Sequence, residues 1–87
     1  MQRSWVVSAQ YRSAIETIKA ARIEREISQR ELGRRVGKST SFINKVEQLE
    51  RRLDILEFMA LADALEIDLL EFVAKVRAAL PDRIDLS

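Results

Sequence analysis

Apolar residues recur along this chain three and four positions apart, and each run of them follows a residue able to cap a helix. That spacing is the period of an amphipathic α-helix, and it predicts five of them. The first covers about 8–25, with Tyr11, Ile15, Ile18 and either Ala21 or Arg22 along its inner stripe. Ser28 followed three residues later by Glu31 forms a capping box, so a second helix starts at Gln29 and buries Leu32 and Val36. Gly37 stands where helices commonly end in a left-handed residue. Ser39 then caps a third helix from Thr40 to about Gln48, on which Phe42, Ile43 and Val46 turn inward. Thr40, Ser41, Asn44 and Lys45 are left on its outer side. Gly33 inside the second helix costs roughly 1 kcal/mol relative to alanine. A small residue there permits the close crossing that a helix–turn–helix requires. Leu49 to Leu53 reads as a polar loop carrying Arg51 and Arg52. Asp54 and Glu57 form a second capping box at the start of a fourth helix, which runs to about Leu65 with Phe58, Leu61, Ala62 and Leu65 inside. A fifth starts after Asp68 and runs to about Leu80, before Pro81. The fold class is therefore all-α, with a domain at 8–80, an N-terminal extension at 1–7 and a short tail at 81–87.

Composition agrees with helices. A chain of 87 residues builds one domain, and 47% hydrophobic residues suffice for its modest core. Two glycines, one proline and 6% aromatic residues argue against a turn-rich β fold. The absence of cysteine and histidine removes disulfides, zinc fingers and most catalytic chemistry, so no enzyme activity, metal or cofactor is expected. No apolar run approaches the roughly 18 residues that span a bilayer, and the N-terminus lacks the pattern of a signal peptide. A soluble cytoplasmic protein without membrane contact is the expectation.

The net charge of +1 says nothing about partners, but its distribution does. Residues 1–52 hold twelve lysines and arginines against six acids, whereas residues 53–87 hold three against eight. The basic half contains the outward polar face of the third helix, as phosphate neutralisation requires. Arg30, Arg34 and Arg35 read as surface or internally paired residues.

In order, Ile18…Arg22, Ile27-Ser28-Gln29, Leu32-Gly33, Val36-Gly37, Ser39, Ser41-Phe42-Ile43 and Lys45-Val46-Glu47 resemble the phage repressor and Cro-like helix–turn–helix proteins, the XRE family. Ala60-Leu61-Ala62-Asp63-Ala64-Leu65 with Ile67, then Leu69 to Phe72, resemble its fourth and fifth helices. The resemblance covers about residues 14–73. It implies a five-helix repressor-like domain and a sequence-specific regulator of double-stranded DNA, a repressor by expectation, of bacterial or phage origin and associated with the nucleoid in the cytoplasm. It also implies roles. Gln29 matches a glutamine whose side chain contacts a phosphate, at a helix N-terminus that favours anions. Thr40, Ser41 and Lys45 match positions that meet base edges, with Lys38, Ser39 and Asn44 beside them. Arg22 and Glu47 match a salt-bridged pair that fixes the fold. Three departures stand out: Leu49 and Glu66 replace frequent glycines, and Leu53 replaces a frequent proline. The first and last of the loop positions put the path of Arg51 and Arg52 along the phosphates in question.

One module of this size covers a single half-site, so a homodimer on a palindromic operator is expected. Leu69, Phe72 and Val73 should pack onto the domain, leaving Val76, Ala79 and Leu80 as the candidate dimer surface and Trp5 to Val7 as a second. Two alternative readings are the DNA-binding antitoxin of a toxin–antitoxin pair, with a toxin as partner, and a protein-interaction adaptor that kept the fold.

Overall fold

Capping chemistry sets where each helix begins. The computed structural model describes residues 8–86, among which five helices follow one another: α1 (Ala9–Glu24), α2 (Gln29–Val36), α3 (Thr40–Glu47), α4 (Ile55–Ala64) and α5 (Leu69–Ala78). Before each stands a side chain that accepts a backbone N–H of the first turn: Ser8 from Tyr11, Ser28 from Glu31, Ser39 from Phe42, Asp54 from Glu57 and Asp68 from Glu71. Asp54 and Glu57 close the reciprocal capping box. The box expected at Ser28 closes on one side only, because the Glu31 carboxylate turns to Arg34 and Arg35.

The ends are alike too. After α1, α2 and α4, and again after α3, the chain passes through a left-handed residue: Glu26 (φ 57°), Gly37 (φ 72°), Glu66 (φ 56°) and Leu49 (φ 64°). The next N–H reaches back five residues in each case, from Ile27 to Arg22, Lys38 to Gly33, Ile67 to Ala62 and Glu50 to Lys45. This is the Schellman closure, which satisfies carbonyls that a helix end would leave bare. α5 ends two residues before the expected Leu80. There the N–H groups of Ala79 and Leu80 tighten to a three-residue spacing, and the Arg77 guanidinium reaches forward to the carbonyls of Pro81 and Asp82.

α2 packs on α3 and α4, α1 on α3 and α5, and α4 on α5. The core draws Ile15, Ile18 and Ala21 from α1, Leu32 from α2, Ile43 and Val46 from α3, Leu61 and Ala62 from α4, Leu65 at the cap that follows it, and Phe72 from α5. Phe58 lies parallel to Phe72 with ring centroids 4.9 Å apart. Two positions depart from the expected pattern. Leu49 belongs to the core at 4% exposure, although its neighbours form a polar loop. Val73 is 45% exposed, because it lies about 100° around α5 from the buried Phe72, while Val76 turns back to pack on the core. Residues 81–86 run back along the start of α1, where the Gln10 side chain bonds both the N–H and the carbonyl of Asp85. No described helix is long and apolar enough to cross a membrane.

Candidate nucleic-acid interface

The presentation of α3 rests on how closely it approaches α2. Gly33 is buried, and a β-carbon there would lie 2.9 Å from the carbonyl oxygens of both Lys38 and Ser39. Any larger residue must displace the turn itself. Ile43 and Val46 on the inner side of α3 are each 2% exposed and lock its rotation. The opposite side then carries Thr40, Ser41 and Lys45 into solvent, with Asn44 half-buried beside them and Lys38 and Ser39 exposed at the N-terminal end. Ser39 also works locally, its hydroxyl accepting the Phe42 N–H at 3.1 Å. Gln48 is exposed and extends the row Thr40–Asn44–Gln48 by one turn. The sequence pattern runs the helix to about Gln48 without placing that residue on the outer face, although the spacing of four puts it in line with Thr40 and Asn44.

Phe42 organises the cations around this face. It is half-buried, with the Lys38 ammonium 5.3 Å and the Arg51 guanidinium 4.6 Å from its ring centroid. Both contacts fall within the range of cation–π attraction. Arg51 also bonds Glu57 at 2.6 Å and the Arg52 carbonyl at 2.7 Å. That bond holds the Glu57 carboxyl below its ordinary range and raises the Arg51 guanidinium. Arg52 takes a different direction, stacked 4.5 Å from the Tyr11 ring centroid on α1. The two arginines therefore leave the loop on separate tracks. Burial pushes the Tyr11 hydroxyl up, opposed by the bond it accepts from the Leu53 N–H. Arg34 and Arg35 converge on Glu31, which they hold down at about 2, and Arg35 also bonds the Ala64 carbonyl. These two arginines pair internally, as their positions suggested.

Behind the exposed face lies a polar network. Arg22 grips both oxygens of Glu47, at 2.7 and 3.0 Å, and also bonds the Ile27 carbonyl. The Arg22 and Glu47 side chains are only 11% and 4% exposed, so the pair is shielded from solvent and salt. Gln29 joins it: its amide nitrogen lies 2.9 Å from Glu47 Oε1 and 3.4 Å from Asn44 Oδ1. Among the described residues no buried side-chain nitrogen or oxygen lacks a partner, and no group of metal-ligating side chains converges.

Of the candidate dimer residues, Ala79 is exposed, Leu80 is half-buried beside Ile84 and Leu86, and Val76 lines an apolar hollow of about 310 Å³ with Ile15, Ile55 and Phe58. Large apolar side chains are instead exposed on α4 and α5 at Ile55, Leu56, Met59, Leu70 and Val73. Trp5 to Val7 lie outside the described residues.

A helix-turn-helix family model matches residues 18–72. The chain is also similar to a solved structure described as an XRE-family like protein from Pseudomonas syringae pv. tomato str. DC3000, with 36% identity and a TM-score of 0.75 over 84% of this chain and 89% of that one. No curated protein matches the sequence.

Proposed function

Because the chain belongs to the XRE family of DNA-binding helix–turn–helix regulators, we propose that it is a transcriptional repressor that inserts α3 into the major groove as a homodimer on a palindromic operator. The observation that carries this reading is the two-sidedness of α3. Ile43 and Val46 are buried on one side, and Thr40, Ser41 and Lys45 are exposed on the other. Lys45 can donate to guanine O6 or N7, and the two hydroxyls serve several bases. Lys38 and Arg51, which flank α3 in the chain, bring their cationic groups together at the Phe42 ring beside the reading face, where a phosphate at the edge of the groove can be met, while Arg52 is directed to Tyr11. The first turn of α2, beginning at Gln29, offers free N–H groups to another phosphate. Pairing is assigned to α5 and its surroundings, with Ala79 and Leu80 joined by the exposed Ile55, Leu56, Met59 and Val73. Val76 contributes from beneath, since it also packs on its own core.

The test is binding to duplexes enriched from a random-sequence pool. Affinity should fall steeply with salt, because counterions are released as phosphates are contacted. Lys45→Ala should cost about 1–3 kcal/mol on the preferred duplex and relax preference at one base position. Unchanged affinity and preference in that variant refute the assignment of the reading face. A salt-independent interaction refutes DNA binding by this surface.

A further inference from the structure

Gln29 sits where a phosphate contact through its side chain is implied, yet its donors are already committed. The Glu47 carboxylate, clamped by Arg22, can only accept hydrogen bonds, so the Gln29 amide must turn its nitrogen toward it. The same nitrogen faces Asn44 Oδ1 at 3.4 Å. One N–H is thus taken by each acceptor, and none remains for a phosphate. The orientation passes on. With Oδ1 turned back toward α2, the Asn44 amide must point its Nδ2 away from Gln29.

We propose that Gln29 is a positioning residue that acts on DNA through Asn44, holding the Asn44 Nδ2 group outward as a donor to an acceptor atom of the duplex. This rests on the DNA-binding reading above and deepens it. The acceptor is a phosphate oxygen or a base acceptor such as guanine O6 or N7, thymine O4 or adenine N7. Arg22 and Glu47 supply the fixed end of the relay, and Gln29 carries that orientation across the gap between α2 and α3. Asn44 then reads with a defined donor instead of an amide free to flip.

A double-mutant cycle on the full chain decides the matter, using a duplex enriched by the wild-type protein from a random pool. Gln29→Ala and Asn44→Ala should each weaken binding about tenfold, the scale of one net hydrogen bond. The double variant should also be about tenfold weaker, because both changes remove the same contact. Base preference lost at one position in Asn44→Ala identifies a base acceptor, and uniform loss across sequences identifies a phosphate. Losses that multiply to about a hundredfold overturn the proposal, as does either single variant that binds like wild type. The wild-type chain gives a second measurement that no folding defect can confuse. On titration with the duplex, the side-chain amide resonances of Asn44 should shift while those of Gln29 stay, and the reverse pattern overturns the relay. A wild-type chain that enriches no duplex refutes the DNA reading itself, whereas multiplicative losses refute this inference alone.

Discussion

Replacing Gly33 by alanine sets two physical effects against each other. Gly33 lies inside α2, where alanine is favoured by roughly 1 kcal/mol on helix propensity alone. If nothing else acted, Gly33→Ala would stabilise the protein. The added β-carbon, however, would lie 2.9 Å from the carbonyl oxygens of Lys38 and Ser39 and 3.1 Å from the Ser39 carbonyl carbon. All three are backbone atoms of the turn between α2 and α3, so no flexible side chain can yield. Overpacking of that kind costs about 1–3 kcal/mol. The clash therefore cancels or exceeds the propensity gain, and a net loss of up to about 2 kcal/mol is expected in urea denaturation. Native domains hold roughly 5–15 kcal/mol, so the variant stays almost wholly folded. Its DNA affinity should nevertheless fall several-fold, because relieving the clash moves the N-terminus of α3 by a few tenths of an ångström. Gly37→Ala is the control. Nothing lies within 4 Å of its β-carbon, but φ of +72° costs an L-residue about 1–2 kcal/mol. That variant should lose stability while its folded form keeps DNA affinity. A Gly33→Ala protein that is about 1 kcal/mol more stable and binds DNA as well as wild type would falsify the close-approach argument.

Other perturbations follow from the same geometry. Glu66→Gly should stabilise by up to about 1 kcal/mol, seen as a higher urea midpoint at unchanged slope, since a left-handed, 85% exposed side chain gives way to a residue that tolerates that backbone. Leu49→Gly should do the opposite and cost about 2–4 kcal/mol, because the same backbone relief is outweighed by emptying a core position. Glu57→Gln keeps an acceptor for the Asp54 N–H but removes the charge facing the partly exposed Arg51, so it should cost under about 1 kcal/mol at neutral pH. The folded pKa of Glu57 lies below its ordinary 4.5, so that contribution is complete above 4.5 and is lost as pH falls through the folded value. The two proteins should converge in stability across that acid window, and a gap that persists below it refutes the ion pair as cause. Val73→Asp should shift the chain toward monomer in sedimentation without loss of helicity, whereas Val76→Asp should destabilise the fold because its side chain packs on the core.

Most of the fold was legible because capping residues and apolar spacing agree element by element. Ser28, Ser39, Asp54 and Asp68 each mark a helix start that the structure keeps. The outward face of α3 followed from the same period, since Ile43 and Val46 determine which side remains. Relations between distant side chains had no such local signal. Nothing near Phe42 in the chain announces that Arg51 will lie over its ring, because the approach depends on the left-handed turn at Leu49. The sharing of the Gln29 amide between Glu47 and Asn44 likewise arises only once α2 and α3 have crossed.

The departures from the family pattern are where sequence alone was weakest, and the structure supplies a reason for two of them. Leu49 adopts the left-handed backbone that glycine would take, so the turn is kept and not reshaped. The strain of about 1–2 kcal/mol is outweighed by a leucine side chain that is 4% exposed, whose burial contributes about 1.5–3 kcal/mol and whose removal would add the cost of a cavity. Leu53 replaces a proline, and its N–H donates to the Tyr11 hydroxyl at 3.0 Å, a bond that proline has no hydrogen to make. The two replacements act on one loop. Leu49 anchors its start in the core, and Leu53 ties its end to α1. Between them stand Arg51, held by Glu57 and Phe42, and Arg52, laid over the same Tyr11. The loop after the recognition helix is therefore fastened at both ends, and both of its arginines lie on aromatic platforms. Order in that segment is obtained here from side-chain anchors, where the family pattern uses glycine's ease in the left-handed turn and proline's fixed φ.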